Sequence, residues 1–436
     1  MTAALIRDLF GREILDSRGR PTVEAEVWLA GGAYARASVP SGASTGAAEA
    51  HELRDGDPER HAGLGVRRAA GHVGGEIRAA LIDLSANDQA DIDRRLAALD
   101  GTPSLSRLGA NALLAVSLAV ARAGARAAGQ PLWRRLADIA SVAEPSLPMP
   151  MVNILSGGLH ARQGMDVQDF LVIPVGAETY SQAIDWALRV RAAAEALMAD
   201  AGLPTLLADE GGLSPGFTDS RDALILMVRA IEGAGLRLGE DAAIGLDIAA
   251  SGLVRADGDY RLERADRTCS PEAMIDLLAG WARDYPIVSI EDGLAEEDWA
   301  HWPALTRALG HIQLIGDDLF CTNAARIARG LREGCANSAL IKVNQAGTLT
   351  RALDALAAAR RGGMSGVVSA RSGETEDDFI ADLAVGTAAG QIKIGSVRNA
   401  ERLTKYNRLS RIEADGLPFA GRTALAPLPA GSDNDR

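Results

Sequence analysis

Cysteine is scarce in this chain: Cys269, Cys321 and Cys335 are its only 3, scattered, and fit no zinc or disulfide spacing. A disulfide-stapled scaffold is thereby excluded, and reduced thiols in a cytoplasmic protein are expected. Aromatic residues amount to only 4%, while alanine and glycine abound, which favours helices packed closely against a sheet. Positive charge is also in deficit, since 45 Lys and Arg face 58 Asp and Glu for a net charge of -13. Such a chain repels nucleic acid and anionic membranes at long range, so neither is an expected partner. Any phosphate or carboxylate ligand has to meet a local concentration of cations, and bound metal is one source of them. Long apolar runs are missing as well. The opening stretch MTAALIRDLFGREIL is broken by Arg7, Asp8 and Arg12, which argues against a signal peptide. The longest apolar segment, LGANALLAVSLAVARAGARAAG, is interrupted by Arg122 and Arg126 and is too polar to span a bilayer. No G-x-G-x-x-G follows the first strand, which argues against a dinucleotide-binding fold.

What is present is a chain of 436 residues with 47% hydrophobic residues, enough for more than one core. The segment TVEAEVWLA alternates apolar and polar residues and is followed, after Gly-Gly, by GGAYARASV, the pattern of a hairpin. Helical periodicity then runs from about Gly63 to Gly129. Strands followed by helices predict an N-terminal α+β domain over residues 1–140. The proline-rich EPSLPMPMVN marks the boundary. Beyond it, VNIL, FLVIPV, IGLDIAAS, IVSIEDG, QLIGDDL, ALIKVNQ, GVVSA and QIKIGS alternate with amphipathic helices. Repeated strand–helix units predict a β/α (TIM-like) barrel over residues 141–426, making the chain an α/β protein. Residues 427–436 are expected to form a frayed tail.

In such barrels the reacting groups sit at the C-terminal ends of strands. Here the strand ends carry Asp247, Glu291, Asp317, Lys342 and Lys393. Each alone is more simply a structural ion pair, but five strands ending in ionisable residues form a constellation. Three carboxylates converging at one mouth repel unless a divalent cation lies between them, and oxygen-only donors suit Mg²⁺. A lysine beside a metal and a second cation gives up its proton more readily and can serve as a general base. A metal bound to the substrate carboxylate would also stabilise the enediolate formed when an α-proton leaves.

The sequence resembles the enolase (phosphopyruvate hydratase) family along nearly its whole length. ILDSRGRPTVEAEV and VPSGASTGAAEA resemble the family's opening segment and mobile loop. SGGLHA, DEGGLSP, GLDIAAS, SIEDGLAEEDW, GDDLFCTN, IKVNQAGTL, RSGETEDDFIADLAVG, GQIK and KYNRLSRIE follow in family order. The resemblance implies an enolase-like fold and Mg²⁺-dependent removal of water from a small phosphorylated hydroxy acid, with two ions per site. Asp247, Glu291 and Asp317 would bind one Mg²⁺ and Ser44 the second. Lys342 would take the C2 proton, and Glu210 would help the C3 hydroxyl leave. Arg371 and Ser372 would hold the phosphoryl group, Lys393 would pair with the substrate carboxylate, and His160, Gln168 and Asp169 would line the pocket. A homodimer or octamer in the cytoplasm is implied too.

The chain departs from the family pattern near this chemistry. Ala370 stands where the family has histidine in S-H-R-S-G-E, and no histidine follows His311. Asp169 replaces the glutamate of Q-E-F, shortening the reach of that carboxylate by about 1.5 Å, one C–C bond. Ile394 replaces threonine, Leu213-Ser214 replaces Phe-Ala, and Arg20 replaces asparagine. Three functions are compatible with this pattern. The first is dehydration of 2-phosphoglycerate. The second is the same elimination on a modified analogue, as in formation of carboxyphosphonoenolpyruvate in phosphonate and phosphinate antibiotic pathways. The third is an enolase-fold binding protein with weak activity.

Overall fold

The computed structural model describes residues 2–43 and 46–425. Ser44 and the tail 427–436 lie outside the described residues. The chain opens with an antiparallel sheet of β1 (Ile6–Leu15), β2 (Pro21–Leu29) and β3 (Tyr34–Ser38). Along β2 the alternate residues Val23, Ala25, Val27 and Leu29 are buried against the helix Ala110–Ala127. That helix is the longest apolar segment of the sequence. It is buried almost all round, between the sheet and the helices of the second domain, which is why it lacks a polar face. No single helix among the described residues is long and apolar enough to cross a membrane.

The second part closes into a barrel. Its strands are β4 (Met149–Ser156), β5 (Asp169–Ile173), β6 (Ala243–Asp247), β9 (Ile287–Glu291), β10 (Gln313–Gly316), β11 (Ser338–Ile341), β12 (Ser365–Ser369) and β13 (Gly390–Gly395). A two-stranded ribbon, β7 (Tyr260–Leu262) and β8 (Arg267–Cys269), projects between β6 and β9. The barrel strands are those expected from the apolar runs, but their directions differ from a uniform strand–helix repeat. The strand β5 runs antiparallel to both β4 and β6, and the other neighbours are parallel. The cause is the connection: segment 157–168 between β4 and β5 holds only one short 3-10 turn. A parallel return needs a crossover element, usually a helix, which this segment lacks.

Burial follows the two-residue period of the strands. Met149, Met151, Leu171, Ile173, Ala243, Ile315, Leu340 and Val367 pack together inside the barrel. Their neighbours Val152, Ile154, Phe170, Val172, Ile244, Leu246 and Val368 face the helices and join the main core. The helices begin at defined caps: Thr179 before Tyr180–Asp200, Asp219 before Ser220–Gly233, Ser270 before Pro271–Asp284 and Thr348 before Leu349–Arg361. Each such cap contributes about 1 kcal/mol.

Candidate active site

The inward positions that are apolar deep in the barrel become ionised at its mouth. Two residues beyond Ile315 comes Asp317, and two beyond Leu340 comes Lys342. Glu291, Asp247 and Lys393 likewise stand two beyond the small or polar inward residues Ser289, Gly245 and Gln391. Asp169 reaches the same mouth from the opposite sense. Because β5 is reversed, its first residue pairs with Asp247, the last residue of β6. Asp247 in turn pairs with Glu291.

The order of strands around the barrel sorts these groups into three arcs. Consecutive strands β6, β9 and β10 carry the carboxylates Asp247, Glu291 and Asp317. Next come the cations after β11, after β12 and on β13: Lys342, Arg371 and Lys393. The ring closes through β4 and β5, whose loops bring His160, Gln168 and Glu210. Lys342, directly after β11, therefore lies across the barrel from the group on β5. A single cavity is lined by His160, Gln168, Glu210, Asp247, Asp317, Lys342, Arg371, Ser372 and Lys393. Asp169 and Glu291 stand in its wall, almost wholly buried. Ser44 lies outside the described residues, and its neighbour Ala43 lines the cavity.

Glu210 comes from the loop between two helices, and its glycines explain how a loop reaches so far in. A Cβ on Gly212 would lie 2.4 Å from Ser156 Oγ, and Gly211 has φ +85°. The loop is pinned by Leu213 N–H to Ile154 O (2.8 Å) and Ser396 N–H to Glu210 O (2.9 Å). His160 bridges this acid to β5, with Nδ1 3.0 Å from Asp169 Oδ2 and Nε2 3.6 Å from Glu210 Oε1. Asp169 is seated by Asn153 Nδ2 (2.5 Å) and Ser156 Oγ (3.0 Å), so the shorter carboxylate still reaches the histidine. Burial opposes charge on His160, but Asp169 and Glu210 outweigh it and raise its pKa to about 9. Burial would raise Glu210, yet His160 and the surrounding cations hold it below its ordinary value.

Lysines satisfy much of the carboxylate arc. Lys393 Nζ donates to Asp247 Oδ2 (2.7 Å) and Glu291 Oε2 (2.8 Å), and Lys342 Nζ donates to Asp317 Oδ2. Gln168 Nε2 also donates to Asp247 Oδ2 (3.1 Å). Burial pulls the Lys342 pKa down, but Asp317 outweighs it and the net shift is upward.

The arc nonetheless fits a divalent cation. Glu291 Oε1 is buried with no hydrogen-bond partner among the described residues. Burial, with Asp247 and Asp317 nearby, pushes the Glu291 carboxyl well above its usual range, as expected where negative charge is under-compensated. The carboxylate oxygens of Asp292, Asp317 and Asp318 come within 4.8 Å of one another, as do the ligand atoms of His160, Asp169 and Glu210. Asp292 is committed elsewhere, accepting the backbone N–H groups of Asp317 (2.9 Å) and Asp318 (2.8 Å). Burial and Asp317 raise Asp318 to about 7. Asp247, Glu291 and Asp317, with Asp318 beside them, are therefore the oxygen donors that could hold a hard cation.

The first domain supplies groups that sequence reasoning did not single out. Ser41 and Gly373 exchange backbone hydrogen bonds (2.8 and 3.0 Å), docking the base of the SGASTG segment onto the chain after β12. Arg18 Nη1 donates to Ser372 Oγ (3.1 Å). Arg371 forks onto Glu49 at 3.1 and 3.2 Å, and its Nη1 also reaches Asn344 Oδ1 (2.9 Å). From behind, the fully buried Arg402 donates to the carbonyls of Arg371 (2.6 Å) and Ser372 (2.6 Å). Asp292 and Asp318 had a signal, the doubled acids of IEDG and GDDL; Arg18, Glu49 and Arg402 had none in local pattern.

A closed barrel with carboxylates, two lysines and a histidine–carboxylate relay converging on one cavity has the make-up of a barrel-mouth enzyme site, with oxygen donors that could hold a cation. Residues 6–136 match the family model of the enolase N-terminal domain, and residues 144–427 match that of the enolase C-terminal TIM barrel domain. The chain belongs to the enolase family, which makes it a lyase-type enzyme with an enolase-superfamily reaction.

Proposed function

We propose that the protein dehydrates 2-phosphoglycerate, or a close 2-phosphoryl-glycerate analogue, to the corresponding enolpyruvate in a Mg²⁺-dependent reaction. The observation that carries this reading is the placement of Lys342 across the cavity from the Glu210–His160–Asp169 relay. An elimination of water needs a base at C2 and an acid at the C3 hydroxyl, and these two groups reach the cavity from opposite walls. Asp247, Glu291 and Asp317 would hold one Mg²⁺, with Ser44 assigned to a second by resemblance. When bound, the metal supplies positive charge that neutralises the acid arc and stabilises negative charge developing on the substrate carboxylate. Lys342 Nζ takes the C2 proton, and its neighbours Arg371 and Lys393 disfavour the charged form once Asp317 is occupied. Glu210, ionised in the resting site, passes to the departing hydroxyl a proton supplied by the adjacent charged His160. Arg371 and Ser372 hold the phosphoryl group, and the Arg402 hydrogen bonds to both backbone carbonyls orient them.

A second reading, the modified analogue, is favoured by Ala370, which is buried and lines the cavity where the family carries histidine. The deciding experiment follows enol formation by ultraviolet absorbance with saturating Mg²⁺, comparing 2-phosphoglycerate with its carboxyphospho analogue. Turnover of 2-phosphoglycerate at ordinary enolase rates would remove the second reading. Failure of both substrates would overturn this substrate reading and favour an enolase-fold binding protein.

A further inference from the structure

The contact between Arg371 and Glu49 has no part in the chemistry above. Glu49 Oε2 lies 3.1 Å from Arg371 Nη1 and Glu49 Oε1 lies 3.2 Å from Nη2, a two-pronged contact on the end of the guanidinium. Both side chains are buried, 4% and 7% exposed, so neither charge is compensated by water. Two neutral donors steady the carboxylate further, Gly46 N–H (3.0 Å) and Gln345 Nε2 (3.3 Å). This fork is the geometry by which a guanidinium grips a phosphoryl group, and one edge accepts one such partner at a time.

We infer that Glu49 is an internal competitor for the phosphoryl site, occupying the Arg371 fork until a phosphoryl dianion displaces it. The inference rests on the reading of Arg371 as the phosphoryl ligand. Separating a buried ion pair without replacement is strongly unfavourable. The exchange of one anion for another avoids that cost, because Arg371 stays paired throughout and Glu49 keeps its two neutral donors. Glu49 thus neutralises the Arg371 charge in the empty site, and lowers the apparent affinity for phosphoryl ligands by the fraction of molecules in which it holds the fork.

The test is calorimetric titration of inorganic phosphate into the full chain, without divalent cations, in wild type and Glu49→Gln. The isosteric amide removes the competing charge, and phosphate affinity is expected to rise about tenfold, within the usual span of couplings between sites. Glu49→Asp, which keeps the charge but loses the two-pronged reach, should show a smaller gain in the same direction. It carries the test if the amide variant fails to fold, as judged by circular dichroism and thermal midpoint. Equal or weaker affinity in the variants, or no binding in any of them, would overturn the proposal. If Glu49→Gln binds more tightly but the added Arg371→Met leaves that affinity unchanged, the assignment of Arg371 itself is wrong.

Discussion

The mouth of the barrel is divided between two arcs of opposite charge, stabilised in different ways. On the cationic side each group is matched: Lys342 by Asp317, Lys393 by Asp247 and Glu291, and Arg371 by Glu49 and Asn344. On the acidic side the carboxyls outnumber their partners. Burial and mutual repulsion push Glu291 and Asp292 well above the carboxylate range, and one oxygen of Glu291 has no partner among the described residues. The cations are all matched within the protein, Lys342 and Lys393 by the acidic arc itself, whereas that arc retains an unmet demand for positive charge. That difference is the physical argument for the proposed divalent cation, which the acidic side could hold.

The comparison breaks most sharply at Lys342. Lys342→Ala should lower turnover and exchange of the C2 proton with solvent by roughly 10²–10⁴-fold, as loss of a positioned base does. Proton NMR in D₂O reads the exchange directly, and persistent exchange would place the base elsewhere.

Loading the acidic arc comes next. Raising free Mg²⁺ to one hundred times its Kd should stabilise the folded chain by about 2.7 kcal/mol, and chelation should reverse this. Glu291→Gln should lose most of the gain in thermal unfolding. A midpoint indifferent to Mg²⁺ would leave the acidic arc without its expected partner.

Two positions that depart from the family pattern, one after β12 and one on β5, supply a smaller effect on rate. Restoring the family residues with Ala370→His and Asp169→Glu should raise kcat/KM for 2-phosphoglycerate by about tenfold if the pocket has been retuned. No gain would mean that Asn153, Ser156 and His160 already compensate for the shorter carboxylate.

The smallest effect is on stability against pH. The folded-state pKa of His160 is raised from 6.5 to about 9. Its charged form therefore stabilises the fold fully below pH 6.5, and this contribution is lost as pH rises through about 9. Urea unfolding across that window should show the decline, and His160→Gln should flatten it.

Much of this site was legible in the chain. The strand-end residues Asp247, Glu291, Asp317, Lys342 and Lys393 stand out because five apolar strands ending in ionisable residues form a set that separate ion pairs do not explain. His160, Gln168, Glu210, Arg371 and Ser372 were found by resemblance rather than by pattern, since each sits in a loop. Asp169 was found as a pocket residue but belongs to the wall, where it holds His160 instead of meeting the cavity. The pairing of Lys342 with Asp317 was missed because the expectation assumed a metal already in place.

The sequence by itself determined the barrel strands, the ionised residues at their ends and the sheet-and-helix make-up of the first domain. These follow from periodicity, which is a local property of the chain. Only the tertiary structure decided the reversal of β5, the sorting of charges into arcs and the partners of each charge. Strand direction depends on the connecting segment, and a pair such as Arg371 and Glu49 joins residues separated by 322 positions. Local pattern can announce that a charge will be buried, but which distant charge compensates it is settled when the two domains dock.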